Sequence, residues 1–288
     1  MNIWNLPRTE VEAVRLFQEK GIIAKNKICA NGHPMKIYFG ARIFWKCRIC
    51  NSKISVRQGN WLSDSRIDFV TIVRFIYGWC WERSSLKWCQ HELGVANNFV
   101  IDWNNYMREV CVHSLLNREH KMIGGEGMIV EIDESLFTKR KNNTGRVLPQ
   151  QWVFGGICRE TNDCFIVEVP NRSASTLFPA IVENIKVGTT IYSDSWRGYI
   201  TSELENAGLH HFKVNHRYNF VDETTGVHTQ NIERLWGSAK WRNKRHRGTA
   251  RNHLYSYLAE FMWRKQQPNE VDKFDAIMSA IADYMPPK

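Results

Sequence analysis

The sequence predicts an α/β protein: a mixed β-sheet flanked by helices, preceded by a cysteine-rich ribbon and a helical module. Three observations carry this. From Met128 onward, short β-type runs alternate with helical ones in the order strand, strand, strand, helix, strand, helix, strand. Upstream, Ser65 to Leu116 takes on helical apolar spacing, interrupted by a turn at Leu93-Gly94-Val95. Nearer the start, Cys29, His33, Cys47 and Cys50 form two close pairs separated by a hairpin pattern. The boundaries that follow are 1–60 for an N-terminal helix and the ribbon, 61–122 for the helical module, and 123–288 for the sheet domain with its basic C-terminal helices.

Each element has its own signal. Val11 to Lys20 places Val11, Val14, Leu16 and Phe17 on or near one helical face. KIYFGARIFWKC alternates apolar and polar residues about Gly40, the pattern of a β-hairpin. Asp68 to Cys80 is a strongly apolar helix, Ser84-Ser85 caps a second reaching His91, and Ala96 to Leu116 is a longer third. That outline is helix-turn-helix, though an ordinary packed helical pair has the same one. Gly124-Gly125 ends it. Strands are then expected at Met128–Ile132, Gln151–Ile157, Cys164–Val169, Thr189–Tyr192 and His211–Val214. Helices fall at Thr176–Ile185, at Ile200–Ala207, and from Thr229 to Lys265 with a break at Arg247-Gly248.

The chain has 288 residues, 43% of them hydrophobic, enough for one sizeable core plus small modules. Its net charge of +10 points to a polyanionic partner. No apolar run approaches the ~20 residues of a membrane-spanning helix, and the charged start is not a secretory signal. A soluble intracellular protein is expected, so its eight cysteines are not expected to form disulfides. Cys29, His33, Cys47 and Cys50 suit tetrahedral structural zinc, because the hairpin brings two knuckles together. Cys80, Cys89, Cys111, Cys158 and Cys164 sit in apolar or strand contexts and are expected to pack as small hydrophobes.

The chemistry lies in the β-rich half. Asp133 ends the apolar run MIVEID and Asp194 ends TTIYSD. Ligand sites in open sheets gather at the carboxyl ends of strands. Paired carboxylates repel unless a cation lies between them, and their hard oxygens suit magnesium or manganese. Alone, each Asp is more ordinarily a turn or cap residue. The third segment changes the balance. Glu233 and Lys240 are seven residues apart, about two helical turns, and so share one face. From Arg234 to Arg251 there are seven Lys/Arg and no acid. Lys240, Arg242, Lys244, Arg245 and Arg247 are therefore candidates for contacting the phosphates of a polyanionic partner, unless the run is simply a solvated basic face. Trp236 and Trp241 read as buried before they read as stacking partners for bases.

Read in order, CRIC, EIDES, LPQQWVFGGICRET, TTIYSDSWRGY, VNHRYNFVDETTGVHTQNIERLW and YLAEFMWRK resemble the DDE transposases of the Merlin superfamily, related to bacterial elements with an ISXO2-like transposase domain. The resemblance runs from about Ile28 to Lys265. It implies an RNase H-like catalytic domain with Asp133, Asp194 and Glu233 as catalytic metal ligands for two Mg²⁺ or Mn²⁺ ions, and Lys240 in support. Some related groups use Asn or His as the third ligand, so Asn231 and His228 stand as competitors or as supporting residues. The partners implied are double-stranded DNA, as transposon ends and target, and further copies of the chain in a dimer or larger synaptic assembly. The rival readings are a domesticated, catalytically silent DNA-binding protein and an RNase H-like nuclease or resolvase. A eukaryotic nucleus is favoured, with Lys139-Arg140-Lys141 or Lys244-Arg245-His246-Arg247 as import signals.

Overall fold

Thr9 opens the first helix, α1 (Glu10–Glu19), through a capping box with Glu12. The computed structural model describes residues 2–118, 121–137, 151–214, 227–245, 251–268 and 270–288; for 242–245, 251 and 252 it describes the backbone alone. The described residues fall into two compact units, 1–117 with 267–288, and 118–266.

In the first unit, β1 (Met35–Tyr38) and β2 (Phe44–Cys47) form the expected hairpin, to which β3 (Lys53–Ser55) adds a third antiparallel strand. Three residues are too few to show a period, so β3 left no mark in the sequence. Asp68 caps α2 (Phe69–Cys80), and Ser85 caps α3 (Leu86–Leu93) by accepting from the Trp88 amide. Gly94 takes the left-handed conformation (φ 66°) that ends α3, and α4 (Asn97–Leu116) follows. The helix-turn-helix outline is present. One expected boundary differs, however. The last helix, α9 (Lys273–Tyr284), lies in this unit and not with the sheet. Its apolar face of Phe274, Ile277, Met278 and Ile281 is buried, and it packs on α2 and α4.

In the second unit the strands are β4 (Ile129–Leu136), β5 (Trp152–Cys158), β6 (Cys164–Val169), β7 (Thr190–Asp194) and β8 (His210–Val214). Their order across the sheet is β6-β5-β4-β7-β8: an antiparallel meander, then two strands parallel to β4. Helices α5 (Ala174–Asn184) and α6 (Thr201–Asn206) make the crossovers. This is the RNase H-like arrangement. One face of the sheet packs Val130, Ile132, Phe154 and Ile191 against Leu177, Ile181 and Leu204. The other packs Val153, Ile157 and Ile166 against α7 (Gln230–Arg245) and α8 (Arg251–Lys265) through Ile232, Leu235, Leu254 and Leu258. The five cysteines outside the ribbon ligand set are all buried and outside any disulfide.

Candidate active site

The central strand β4 presents alternate residues to α7. Glu131 accepts from the backbone amides of Asn231 (2.8 Å) and Ile232 (3.0 Å), Asp133 from the Trp236 indole (3.0 Å), and Ser135 from the Lys240 ammonium. Two residues of strand advance about 6.6 Å, and four to five residues of helix advance about 6–7.5 Å. Strand and helix therefore stay in step for three successive contacts, which fixes the helix lengthwise and in rotation.

Asp133 does not end its strand, as its place in MIVEID had suggested. Pairing with β5 carries β4 on to Leu136, and Asp133 faces Gly155 within that ladder. What ends near Asp133 is the parallel ladder with β7, whose last rung is Glu131 with Tyr192. Two residues past that rung, on the same face, stand Asp133 and Asp194. Both side chains therefore face the same cleft. Asp133, Asp194 and Glu233 line one cleft of about 180 Å³, together with Ile132 and Thr229. The structure thus brings the three acids together.

Burial, helped by the neighbouring Glu134 and Asp194 carboxylates, pushes Asp133 up to about 7 from its ordinary 3.8. The Trp236 N–H on one Asp133 oxygen opposes that rise without cancelling it. Asp194 accepts from the Trp196 amide at 2.9 Å, which orients its carboxylate. A cleft lined by three acids, one of them raised by burial and by its neighbouring carboxylates, is chemically matched to a hard divalent cation.

The supporting candidates separate. The Asn231 amide donates to Glu131 Oε1 at 2.7 Å, and His228 Nδ1 lies 3.5 Å from the same oxygen. Neither lines the cleft; both serve Glu131. The Lys240 ammonium lies over the Phe137 ring at 5.2 Å as well as against Ser135. Trp236 is buried as expected, whereas Trp241 is exposed. The side chains of Arg242, Lys244 and Arg245, all of Arg247, and the Lys139-Arg140-Lys141 cluster lie outside the described residues.

Sequence reasoning missed several groups that shape the site. Glu134 is buried on the opposite face of β4, accepts from the Tyr199 hydroxyl and lies 3.7 Å from Arg172. Burial raises its carboxyl as well. Arg172 in turn stacks on Trp196 at 3.7 Å. The four-residue run EIDE could have flagged Glu131 and Glu134, since strand alternation puts one on each face. Gly155 is also required. A Cβ there would meet the Trp236 ring at 2.9 Å and the Phe165 carbonyl at 3.0 Å. Gly155→Ala is therefore expected to cost about 1–3 kcal/mol through overpacking. It should also weaken the Trp236–Asp133 contact; urea denaturation monitored by tryptophan fluorescence checks both.

In the first unit, the ligand atoms of Cys29, His33, Cys47 and Cys50 all lie within 4.8 Å of one another. Among the described residues this is the one group of three or more such donors drawn so tightly. The fold explains the gathering. Cys29 N–H donates to the His33 carbonyl at 2.9 Å to close the first knuckle, and Met35 pairs with Cys47 across β1 and β2. The Ser52 hydroxyl and amide bring the Cys50 thiol down to about 6, favouring the thiolate that zinc requires. Three sulfurs and one imidazole, with no fifth donor among the described residues, fit a closed structural zinc site.

The sequence model of the ISXO2-like transposase domain matches residues 122–266. An uncharacterized transposase-like protein of Haemophilus influenzae is 31% identical over 100 residues, which are 35% of this chain and 78% of that protein. Male abnormal protein mab-31 of Caenorhabditis elegans is 27% identical over 230 residues, 70% of this chain but only 53% of that protein. Among solved structures, the HTLV-2 integrase catalytic core domain in complex with magnesium aligns at 12% identity and TM-score 0.33, covering 49% of this chain and 86% of that one. The BIV integrase catalytic core domain aligns at 14% and 0.32, covering 46% and 81%.

Proposed function

Because the chain belongs to the family of the ISXO2-like transposase domain, we propose that it is a DNA transposase whose catalytic centre is Asp133, Asp194 and Glu233. The observation that carries this reading is the single cleft those three acids line. Their oxygens would hold two Mg²⁺ or Mn²⁺ ions. Divalent cations there supply a stronger oxygen nucleophile at neutral pH and stabilise charge on the departing oxygen.

The chain's own residues do the rest. Asp133 is held by Trp236 and Asp194 by the Trp196 amide, while the start of α7 carries Glu233 to the cleft, so two of the three donors are oriented before DNA arrives. In the first step a water oxygen bonds to the phosphorus at the transposon end, the P–O3′ bond breaks, and a free 3′-hydroxyl departs. In the second step that hydroxyl attacks a target phosphate, and the target's P–O3′ bond breaks in turn. Lys240 stands beside the cleft on Ser135 and Phe137, where it would steady a backbone phosphate together with the basic run after it.

Within the family we place the chain in the Merlin superfamily, on the ordered motifs from CRIC to YLAEFMWRK. The nucleus is then its compartment and a synaptic dimer or larger assembly its working form. The zinc ribbon and the three helices after it would grip the transposon end, leaving 118–266 to do the chemistry.

Alanine at Asp133, Asp194 or Glu233, one at a time, is expected to lower Mg²⁺-dependent cleavage of terminal-repeat DNA about a thousandfold or more, since each removes a metal-ligating carboxylate. Binding of the same DNA in a mobility shift should persist. Full cleavage by any one of the three variants sinks the assignment, and cleaved ends that never join a second duplex would reduce the protein to a nuclease.

A further inference from the structure

Glu233 is exposed, so little around its side chain holds it over the two aspartates. Its position must come from its backbone, and that backbone is pinned from the central strand. The Glu131 side chain is fully buried, and both of its oxygens accept from the start of α7. Oε2 accepts from the Asn231 and Ile232 amides; Oε1 accepts from the Asn231 side chain (2.7 Å) and from Arg159 Nε (2.7 Å). The first amides of a helix have no partner within it, and here a carboxylate from another element satisfies two of them. The next residue after Ile232 is Glu233.

Arg159 extends the arrangement to all three acids. It balances the Glu131 charge, donates to the His228 carbonyl at 2.8 Å, and lies over the Tyr192 ring at 4.7 Å. Glu131 and Tyr192 form the last rung of the β4–β7 ladder, two residues behind Asp133 and Asp194 respectively. One guanidinium thus touches, just behind each ligand, the strand of the first acid, the strand of the second and the segment leading to the third.

We propose that Glu131, clamped by Arg159, is the positioning residue of the site: it docks the N-terminus of α7 on the sheet and thereby sets where Glu233 stands. It acts through Glu233 and does not reach the reacting atoms. The proposal rests on the reading of the cleft as the metal-binding catalytic centre. It distinguishes Glu131 from a merely structural buried ion pair, which would stabilise the sheet without tuning the third ligand.

The test uses the full chain, zinc-replete, with Mn²⁺ binding measured by calorimetry and Mg²⁺ dependence measured by cleavage. Glu131→Gln is expected to weaken Mn²⁺ binding about tenfold or more and to raise the Mg²⁺ concentration for half-maximal cleavage in parallel, the size of effect found for groups that orient ligands. Glu233→Ala should show its own loss, and the double variant Glu131→Gln/Glu233→Ala should bind Mn²⁺ no worse than Glu233→Ala alone. Losses that add in the double variant overturn the proposal, as does a Glu131→Gln protein with wild-type Mn²⁺ affinity. Should Glu131→Gln fail to fold, Asn231→Ala, which removes one bond to Glu131 and leaves its charge paired, decides in its place with an expected loss of about threefold, and wild-type Mn²⁺ affinity there counts against the proposal equally. A wild-type chain that neither binds Mn²⁺ nor cleaves DNA would remove the reading of the cleft itself, an outcome separate from any difference between variants.

Discussion

Asp133→Asn is expected to make the metal-free protein more stable while abolishing cleavage. The carboxyl is raised to about 7 in the folded chain against 3.8 for an ordinary aspartate. A group raised on folding favours the folded state when protonated, so its contribution is intact below pH 4 and is lost as pH climbs through 7. That rise corresponds to roughly 4 kcal/mol at most, because side chains and water relax around the charge. Asparagine keeps an oxygen for the Trp236 N–H and carries no charge. Its thermal midpoint should therefore exceed that of the wild type at pH 8 by several degrees, at about 2–4 °C per kcal/mol for a chain of this size. The two should converge near pH 4. Saturating Mg²⁺ should narrow the gap at pH 8, because the cation gives the wild type the counter-charge it lacks. A variant no more stable than wild type at pH 8 would show that the site carries no such strain.

The second large effect concerns the ribbon. Stripping zinc with a strong chelator, or replacing the fully buried Cys47 with serine, is expected to unfold the region from about Lys27 to Ser55. Three short strands cannot offset the loss of a structural zinc ion, which supplies on the order of 10–16 kcal/mol at neutral pH. Proteolysis should then cut first inside that region, and DNA-end affinity should fall about tenfold or more as the phosphate and base contacts go. The thermal transition of 118–266 should be unmoved, since that unit has its own core. Metal analysis of the purified wild type should return one zinc per chain, and Mg²⁺ should not restore the stripped protein. An unchanged proteolytic pattern after removal of the metal would show that the quartet is not a zinc site.

The parts that were legible in the sequence are those written locally. The caps Asp68 and Ser85, the turn at Gly94, the alternation in the ribbon and the β-runs from Met128 each describe a few neighbouring residues, and each element is found close to where it was expected. That Asp133, Asp194 and Glu233 share one cleft follows the motifs EIDES, YSDSW and NIERLW, although the strand-end argument fails for Asp133, whose strand runs on to Leu136. What was not legible depends on distant partners. Glu131 reads as one polar residue in a strand, and its meaning is supplied by amides 100 and 101 residues later. Trp236 declares itself apolar but not that its indole reaches Asp133. The apolar face of α9 gives no address, and it is satisfied by α2 and α4 from the other end of the chain.

That last arrangement has a consequence for how the protein is made. The unit that begins the chain is finished by its last helix, and the whole of 118–266 is synthesised in between. As the polypeptide leaves the ribosome, all five strands of the sheet emerge while α2 and α4 still wait for α9. A ribosome that stops near residue 266 would release a chain with an assembled cleft and an unfinished N-terminal half. A truncation that removes only α9, far in sequence from the ribbon and the helices after it, should therefore harm that half most.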